Sequence, residues 1–157
     1  MNVSKKALKS ELTAILEKTL EGLEAAHADT REAATHPEAK PENDKDTRAL
    51  EQSYLARGQA MRIEALKAGL SAVGAMSLAA TTTAKAGALI EVEDEDAQTV
   101  RYYLAPEGGG TKLAKNSVQV VTPVSPLGAA LMGKREGDEV ELTLAGKKRV
   151  LSVVGIT

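Results

Sequence analysis

Cysteine, phenylalanine and tryptophan are absent from this sequence of 157 residues, and tyrosine occurs only three times. The absence of cysteine excludes a disulfide scaffold, a zinc–thiolate site and a thiol nucleophile, and it fits a reducing cytoplasm. With so few aromatic rings, alanine, leucine and valine must fill the core. Long helices that pack on each other suit such a thin core better than a large globule does.

Neither sign of charge dominates, since 20 lysines and arginines stand against 22 aspartates and glutamates, for a formal net charge of −2. Nucleic-acid binding driven by phosphate contacts is therefore not favoured, and we expect nucleic acid to be contacted only indirectly. The N-terminus has no apolar signal region, and no window reaches the ~18 apolar residues that a membrane span requires. These features predict a soluble cytoplasmic protein.

The first half of the sequence has the periodicity of two helices. Residues 3–35 contain no proline, and their apolar residues recur at spacings of three and four. Residues 36–46 interrupt the pattern with two prolines and alternating charges, and the helical pattern returns over 48–73. The short polar connection predicts an antiparallel hairpin with an acidic tip. We expect the second helix to pack through one apolar stripe. Its central side carries Leu50, Tyr54, Met61, Ala65 and Ala68, and it is widened by Leu55, Leu66, Leu70 and Val73.

The second half changes to a period of two, which is typical of strands. Residues 77–86 show no clear period and are predicted to form a linker. The alternation beyond them predicts five strands and one short helix. We therefore expect an α+β protein, with a helical coiled-coil hairpin over 1–76 and a small antiparallel β-domain over 87–157. Of the adjacent Tyr102 and Tyr103 on one predicted strand, one faces inward and the other outward, where it is a candidate for docking.

The most specific local signal follows the third predicted strand. Ser125 is a good N-cap, and Pro126 is preset for the first turn of a helix. Gly133 ends this short helix where a positive φ is wanted, and Lys134 and Arg135 lie near its negative pole. A Gly-Asp turn then leads into a strand with alternating polar and apolar residues.

This run closely resembles the C-terminal domain of the GreA/GreB transcript-cleavage factors, which has an FKBP-like fold. In that family a Ser-Pro pair opens a short apolar helix, and Leu-Leu-Gly-Lys and Val-Gly-Asp lead into a strand. The resemblance implies bacterial RNA polymerase as the partner, with the β-domain docked at the rim of its secondary channel. Ser125, Pro126, Lys134 and Arg135 are therefore candidate polymerase-binding residues. Lys134 and Arg135 have the alternative role of serving the helix C-terminus alone.

The predicted hairpin tip carries a looser match to the same family. Glu42-Asn43 resembles the end of the family's tip motif, Asp-Leu-Ser-Glu-Asn, whose hairpin enters the secondary channel. There the Asp and Glu help to hold a magnesium ion and a water at the polymerase's own active site. Magnesium prefers hard oxygen ligands and keeps several waters, so one or two carboxylates on a rigid probe are sufficient. The resemblance thus implies no cofactor of the protein's own, and magnesium shared with the polymerase active site.

The sequence departs from the tip motif at a position that matters for the chemistry. Aligning Glu42 with the family's Glu places Ala39 where the family has Asp, and alanine cannot bind a metal. Asp44 or Asp46, just beyond, is a candidate replacement, and another register of the motif would pair Asp44 with Asp46. The candidate metal-assisting acids are therefore Glu42, Asp44 and Asp46. Further candidates for polymerase binding are Asn43 and Tyr54.

The sequence leaves more than one function open. The first hypothesis is a monomeric elongation regulator, not itself an enzyme, that either stimulates cleavage of backtracked transcripts or occupies the channel and inhibits. The FKBP-like fold also raises a prolyl isomerase, but such enzymes line their pocket with aromatic residues, which this half almost lacks. The third hypothesis is a coiled-coil adaptor that oligomerises through the hairpin, because two paired helices leave apolar surface uncovered.

Overall fold

The computed structural model of the chain describes residues 3–35 and 46–157. Helix α1 spans Lys5–Thr35 and helix α2 spans Asp46–Gly74. α1 begins after Ser4, whose hydroxyl accepts a hydrogen bond from the Ala7 N–H (3.4 Å), as the side chain of an N-cap does. These are the two helices that the periodicity predicts.

The buried face of α2 coincides with only part of the predicted stripe. Leu66 and Val73, from its widened edge, are buried together with Ile63, whereas its central side, including Tyr54 and Met61, is exposed. The expectation was wrong because α2 carries apolar residues on two sides. The spacing of apolar residues therefore does not select one packing face.

The remaining chain forms a sheet domain. In the part of the chain that the structure describes, its strands make one six-stranded sheet in the order β3-β4-β2-β1-β6-β5. The predicted architecture, a helical hairpin followed by a small sheet domain with a short helix, is confirmed. The elements are β1 (Leu89–Glu93), β2 (Thr99–Leu104), β3 (Lys112–Leu113), β4 (Val118–Val121), helix α3 (Pro126–Leu131), β5 (Glu139–Leu144) and β6 (Lys147–Ile156).

The sheet is mixed, whereas we expected an antiparallel sheet of five strands. β4 pairs with β2 in parallel, and its other neighbour, β3, is antiparallel to it. The chain leaves β2, crosses to the sheet edge as β3 and returns as β4 between the two, so β4 runs in the direction of β2. The sequence did not reveal β3 because two residues are too few to show a period.

Contacts within the chain separate it into two compact units. One is Ile15–Leu70, and the other joins the start of α1, up to Ala14, to Ser71–Thr157. The first turns of α1 therefore belong with the sheet domain, which the sequence did not indicate. The predicted boundaries, with a hairpin over 1–76, a linker over 77–86 and a β-domain from residue 87, follow the order of the elements and stay a prediction.

One face of the sheet packs on α3 and on the segment before β1. Leu131 of α3 is fully buried there, and so is Ala84 from the predicted linker. The Ala84 N–H donates to the Lys134 carbonyl (2.8 Å), and the Ala84 carbonyl accepts from the Gly133 N–H (2.9 Å). Part of the predicted linker is thus built into the core. The buried residues of this cluster are Ala84, Ala88, Ile90, Val92, Leu104, Val121, Leu131, Val140, Leu142 and Val153.

The opposite face of the sheet is covered as well. Tyr103 and Leu104 are consecutive on β2 and both are fully buried, and on β4 both Val120 and Val121 are buried. Because consecutive strand residues point to opposite faces, both faces are shielded at this place. The start of α1 belongs to the same compact unit and bonds to its backbone through three side chains, so we assign this second cover to α1.

The first of these side chains is Lys5, which is 9% exposed. Its Nζ donates to the carbonyls of Ala79 (2.8 Å) and Thr157 (3.1 Å), so it joins the segment after α2 to the end of the sheet. Burial, and to a smaller extent the charge of Lys85, lower the pKa of Lys5 below its ordinary value. The two carbonyl partners compensate part of this desolvation.

Lys9 and Glu11 follow on the next turn of α1. Lys9 Nζ donates to the carbonyls of Gly74 (2.8 Å) and Met76 (3.1 Å), which lie at the end of α2 and just beyond it. A lysine at this place satisfies orphan carbonyls and complements the negative end of the helix dipole. Glu11 Oε2 accepts from the Ala114 N–H (3.0 Å) in the connection between β3 and β4.

Neither tyrosine of β2 faces outward, which contradicts our expectation. Tyr103 is fully buried, and the half-buried Tyr102 packs against the core on the α3 side. The expectation assumed one solvated sheet face, whereas both faces are covered here. The hydroxyl of Tyr103 has no hydrogen-bond partner among the residues that the structure describes. Burial raises the pKa of Tyr103 to about 12.

We expect Tyr103→Phe to stabilise the protein by about 1 kcal/mol at neutral pH, because it removes a buried hydroxyl that lacks a partner. The raised pKa keeps this phenol protonated in the folded state while it ionises in the unfolded state. Below pH 10 this shift has no effect on stability, and as the pH rises from 10 through about 12 the parent chain loses stability that Tyr103→Phe keeps. Thermal unfolding from pH 7 to 12 checks this, with the exposed Tyr54→Phe as control. A less stable Tyr103→Phe at pH 7 would show that the hydroxyl is satisfied after all.

Candidate functional site

The acids proposed for metal chemistry are not placed by the structure. Glu42, Asn43 and Asp44 lie between the end of α1 and the start of α2, outside the described residues. Asp46 is the first residue of α2, and its side chain is not described. Among the residues that are described, no group of His, Asp or Glu side chains is placed to hold a metal ion. The proposed metal-assisting role therefore rests on the sequence of the tip.

Tyr54 lies on α2, eight residues after the first residue of the helix. At ~1.5 Å per residue, this places it about 12 Å along the helix axis from Asp46. Its side chain is 63% exposed, so it does not serve the packing of the hairpin. Leu50, Leu55 and Met61 are exposed near it. Leu55 projects about 100° away from Tyr54 around the helix, so we call Leu50, Tyr54 and Met61 the outer stripe of α2. These three residues give the hairpin an apolar surface that a partner can contact.

Ser125 is fully engaged in building α3. It has extended backbone angles (φ −78°, ψ 153°), and its Oγ accepts from the Gly128 N–H (3.1 Å). The same hydroxyl donates to the Thr122 carbonyl (2.8 Å). Pro126 occupies the first turn, where its missing N–H costs nothing, and its ring is exposed. Residues 122–126, which precede and open α3, form the candidate docking loop, called the α3 loop for short. Ser125 shapes this loop, and Pro126 presents surface to a partner.

Gly128 is a structural requirement of this loop that the sequence analysis missed. A Cβ at this position would collide with the carbonyl oxygen of Thr122 and would also crowd the Ser125 hydroxyl. The sequence offered one signal, because glycine inside a helix is unfavourable and needs a packing reason.

We expect Gly128→Ala to destabilise the protein by about 3 kcal/mol, because a backbone oxygen cannot move aside without breaking the Ser125 cap. The melting temperature should fall by about 10 °C. Ala129→Gly, at the exposed next position, is the matched control and should cost only about 1 kcal/mol of helix propensity. Equal effects of the two substitutions would contradict the close approach of the two chain segments.

Val124 is the most exposed of the large apolar residues in the described part of the chain, at 93%. The Ser125 N–H donates to the Thr122 carbonyl (3.0 Å), which closes a β-turn with Pro123 and Val124 at its corners. The turn aims Val124 into solvent directly before the Ser-Pro pair. The sequence analysis missed it, although an apolar residue between two prolines has neither a strand nor a helix to bury it.

Lys134 and Arg135 come after the end of α3 rather than in its last turn. The Lys134 N–H donates to the Leu131 carbonyl (3.0 Å), and the Arg135 N–H donates to the Asp138 carboxylate (2.8 Å). Arg135 also pairs with Thr83 in an isolated bridge. The exposed Arg135 side chain and the half-buried Lys134 side chain thus stand on a well-anchored backbone beside the candidate docking loop.

Comparison with known proteins decides the family. A model described as "Transcription elongation factor, GreA/GreB, C-term" matches residues 79–157, half of the chain. A transcription elongation factor GreA of Jannaschia sp. (strain CCS1) is 30% identical over 159 residues, covering 100% of this chain and 90% of that protein. This chain belongs to the GreA/GreB family.

Further matches also cover most of this chain. The transcription elongation factor GreA of Halorhodospira halophila is 29% identical over 126 residues, which cover 80% of this chain and 77% of that protein. Among solved structures, Thermus aquaticus Gfh1 is 21% identical, with a TM-score of 0.42 and coverage of 91% of this chain and 92% of that one. The GreA/GreB proteins are non-catalytic factors, and this member is not an enzyme itself. In its described residues, no helix has the length and apolar character needed to cross a membrane.

Proposed function

We propose that this GreA/GreB protein binds bacterial RNA polymerase, docks its sheet domain at the rim of the secondary channel and inserts its helical hairpin into the channel. The observation that carries this proposal is the loop at the start of α3. In a chain of this family, it presents Val124 and Pro126 to solvent on a rigid, Ser125-capped frame. An exposed apolar side chain on a rigid loop suits a docking contact, because little conformational freedom is lost on binding.

The hairpin supplies the second part of the proposal. Its outer stripe on α2 leaves Tyr54 free of internal packing and available to the channel wall. We propose that Glu42, Asp44 and Asp46 reach the polymerase magnesium and help to hold it with its water. Carboxylate oxygens are the ligands that magnesium accepts, and the ion remains the polymerase's own. Asn43 is proposed to contact the polymerase beside them.

Direct binding tests the docking step. The full chain should bind the core polymerase of its own organism, and an authentic GreA should compete for the same site. The complex should contain one copy of this chain, because the proposal requires a monomer. Binding that persists unchanged at saturating GreA would place the protein elsewhere on the polymerase and would refute channel insertion.

The coiled-coil adaptor is the second candidate, and the outer stripe of α2 is the observation that favours it. An apolar stripe along a helix can pair with a second helix as well as contact a channel wall. Sedimentation of the free chain separates the two functions. A dimer that dissociates on Met61→Glu substitution would favour the adaptor, whereas a monomer at tens of micromolar favours the polymerase function. No observation supports the prolyl isomerase, since the side chains of Tyr103 and Tyr102 are used in core packing and are not available to line a substrate pocket.

A further inference from the structure

The connection between β3 and β4 is a strained turn. Ala114, Lys115 and Asn116 all have positive φ angles, of 49°, 55° and 68°. The left-handed region is unfavourable for every residue with a Cβ, and asparagine tolerates it best. Three such residues in succession persist only where surrounding contacts hold them.

Hydrogen bonds from both sides hold the first residue of this turn. The Ala114 carbonyl accepts from the Ser117 N–H (3.2 Å) and from the Ser117 hydroxyl (2.7 Å). The Ala114 N–H donates to Glu11 Oε2 (3.0 Å), which reaches it from α1, 103 residues away in sequence. The bonds to Ser117 are local, whereas Glu11 ties the turn to a different element.

The turn connects β3 to β4 and so helps to hold β3 as the edge strand of the sheet. β3 pairs with β4 through Lys112 with Gln119 and Leu113 with Val118. Two backbone bonds extend this pairing, from the Val120 N–H to the Thr111 carbonyl (2.8 Å) and from the Gly110 N–H to the Val120 carbonyl (2.8 Å). The side chain of Leu113 in β3 is fully buried.

Without β3, strand β4 would be an unpaired edge strand that can pair with another chain. β4 reads Val-Gln-Val-Val, and its three valines are buried. Valine favours strands, and an unpaired row of backbone N–H and C=O groups is a template for pairing with another chain. Because β3 is held on β4 by only two paired residues and the two backbone bonds before them, its closure depends strongly on the turn that follows it.

Glu11 stands on a fixed part of α1. Lys5 and Lys9, on the same first turns, bond to the carbonyls of Ala79, Thr157, Gly74 and Met76. The carboxylate is therefore presented to the turn from a helix that is already tied to the sheet domain. A preorganised acceptor of this kind loses little conformational entropy when it binds the N–H.

We propose that Glu11 is a latch that holds the strained turn, keeps β3 on β4 and so prevents a second copy of this chain from pairing with the β4 edge. The partner of the open state is a second copy, because a freed β4 edge would present the same row of backbone N–H and C=O groups on every molecule, and two such edges can pair antiparallel. This inference is independent of the proposed polymerase function. It assigns Glu11 a protective, conformational role that no motif in the sequence shows.

Amide hydrogen exchange on the full chain tests the latch directly. In Glu11→Ala, the amides of Ala114 and Val120 should exchange at least about tenfold faster, while the Val153 amide, bonded to the Asp138 carbonyl on the far side of the sheet, keeps its rate. Glu11→Gln, which keeps an acceptor oxygen, should restore part of the protection. Glu17→Ala, at an exposed position farther along α1, is the matched control.

Self-association provides the second readout. Sedimentation of Glu11→Ala should show association that grows with concentration and exceeds that of the parent chain and of Glu17→Ala. Lys115→Gly relieves the backbone strain and should slow exchange at Val120 and suppress the association of Glu11→Ala. Equal acceleration at Val120 and Val153 in Glu11→Ala would mean general destabilisation and would overturn the latch. Unchanged exchange at Val120 would overturn it as well.

Discussion

Replacing Glu42, Asp44 and Asp46 together by alanine is expected to return transcript cleavage in a backtracked elongation complex to the rate of the polymerase alone. These three acids are the ligands proposed for the magnesium ion, and without them only Glu38 remains among the acids of residues 36–46, before the position aligned with the family's Asp. Binding to the polymerase should stay within about twofold, because docking is assigned to the α3 loop and the hairpin surface. Cleavage kinetics and a binding titration on the same complex measure the two effects separately.

Two further variants sharpen this test. Asp29→Asn removes an exposed acid of α1 and should change neither cleavage nor binding. Ala39→Asp restores the acid that the family motif has at this position, and it should raise cleavage above the level of the parent chain. If the triple variant loses polymerase binding instead of cleavage, the tip is a docking element and the proposed ligand role is wrong.

Val124→Asp is expected to weaken binding to RNA polymerase by at least about tenfold, which corresponds to about 1.4 kcal/mol. Val124 is almost fully exposed in the free protein, so the substitution should leave its stability nearly unchanged. In the proposed complex the side chain is buried, and a carboxylate there would lose its hydration without gaining a partner. The binding constant and the melting temperature of the same variant check both parts.

Leu144→Asp is the matched control for Val124→Asp. Leu144 is also an exposed apolar residue of the sheet domain, at the end of β5 and outside the α3 loop. Its replacement should leave polymerase binding unchanged. Equal losses in the two variants would point to a general charge effect, and no loss in Val124→Asp would remove the α3 loop from the docking surface.

Local signals in the sequence were sufficient for the α3 region. Ser125 caps the helix and Pro126 opens it, as their backbone preferences predict, and Gly133 takes a positive φ of 80° after the helix. Each of these features depends on atoms only a few residues apart. Because such interactions depend on residues close together in the sequence, they could be predicted from it.

Long-range packing could not be predicted in the same way. Glu11 and Lys5 bond to atoms 103 and 152 residues away, and no local period records such partners. The burial of Tyr103 depends on a cover over the second face of the sheet, which we assign to the start of α1. The packing side of α2 was misjudged because two apolar stripes compete on one helix, and only the tertiary fold selects between them.

The same distinction between local and long-range interactions applies to the candidate site. The frame of the α3 loop followed from Ser125 and Pro126, but the exposure of Val124 depends on the turn that precedes the helix. The tip acids are known from the sequence alone, so their roles depend on the resemblance of Glu42-Asn43 to the family motif. Ala39 marks the position where that resemblance and the expected chemistry separate.

Competition in a purified, backtracked elongation complex tests the central claim most directly. Transcript cleavage is measured with magnesium, with this protein alone, with an authentic GreA alone, and with GreA at rising concentrations of this protein. The account predicts that this protein displaces GreA, so that cleavage moves from the GreA rate to the rate given by this protein's own tip. Val124→Asp should need at least about tenfold higher concentration than the parent chain to displace GreA. GreA-stimulated cleavage that is unaffected by a large excess of the parent chain would contradict occupancy of the secondary channel.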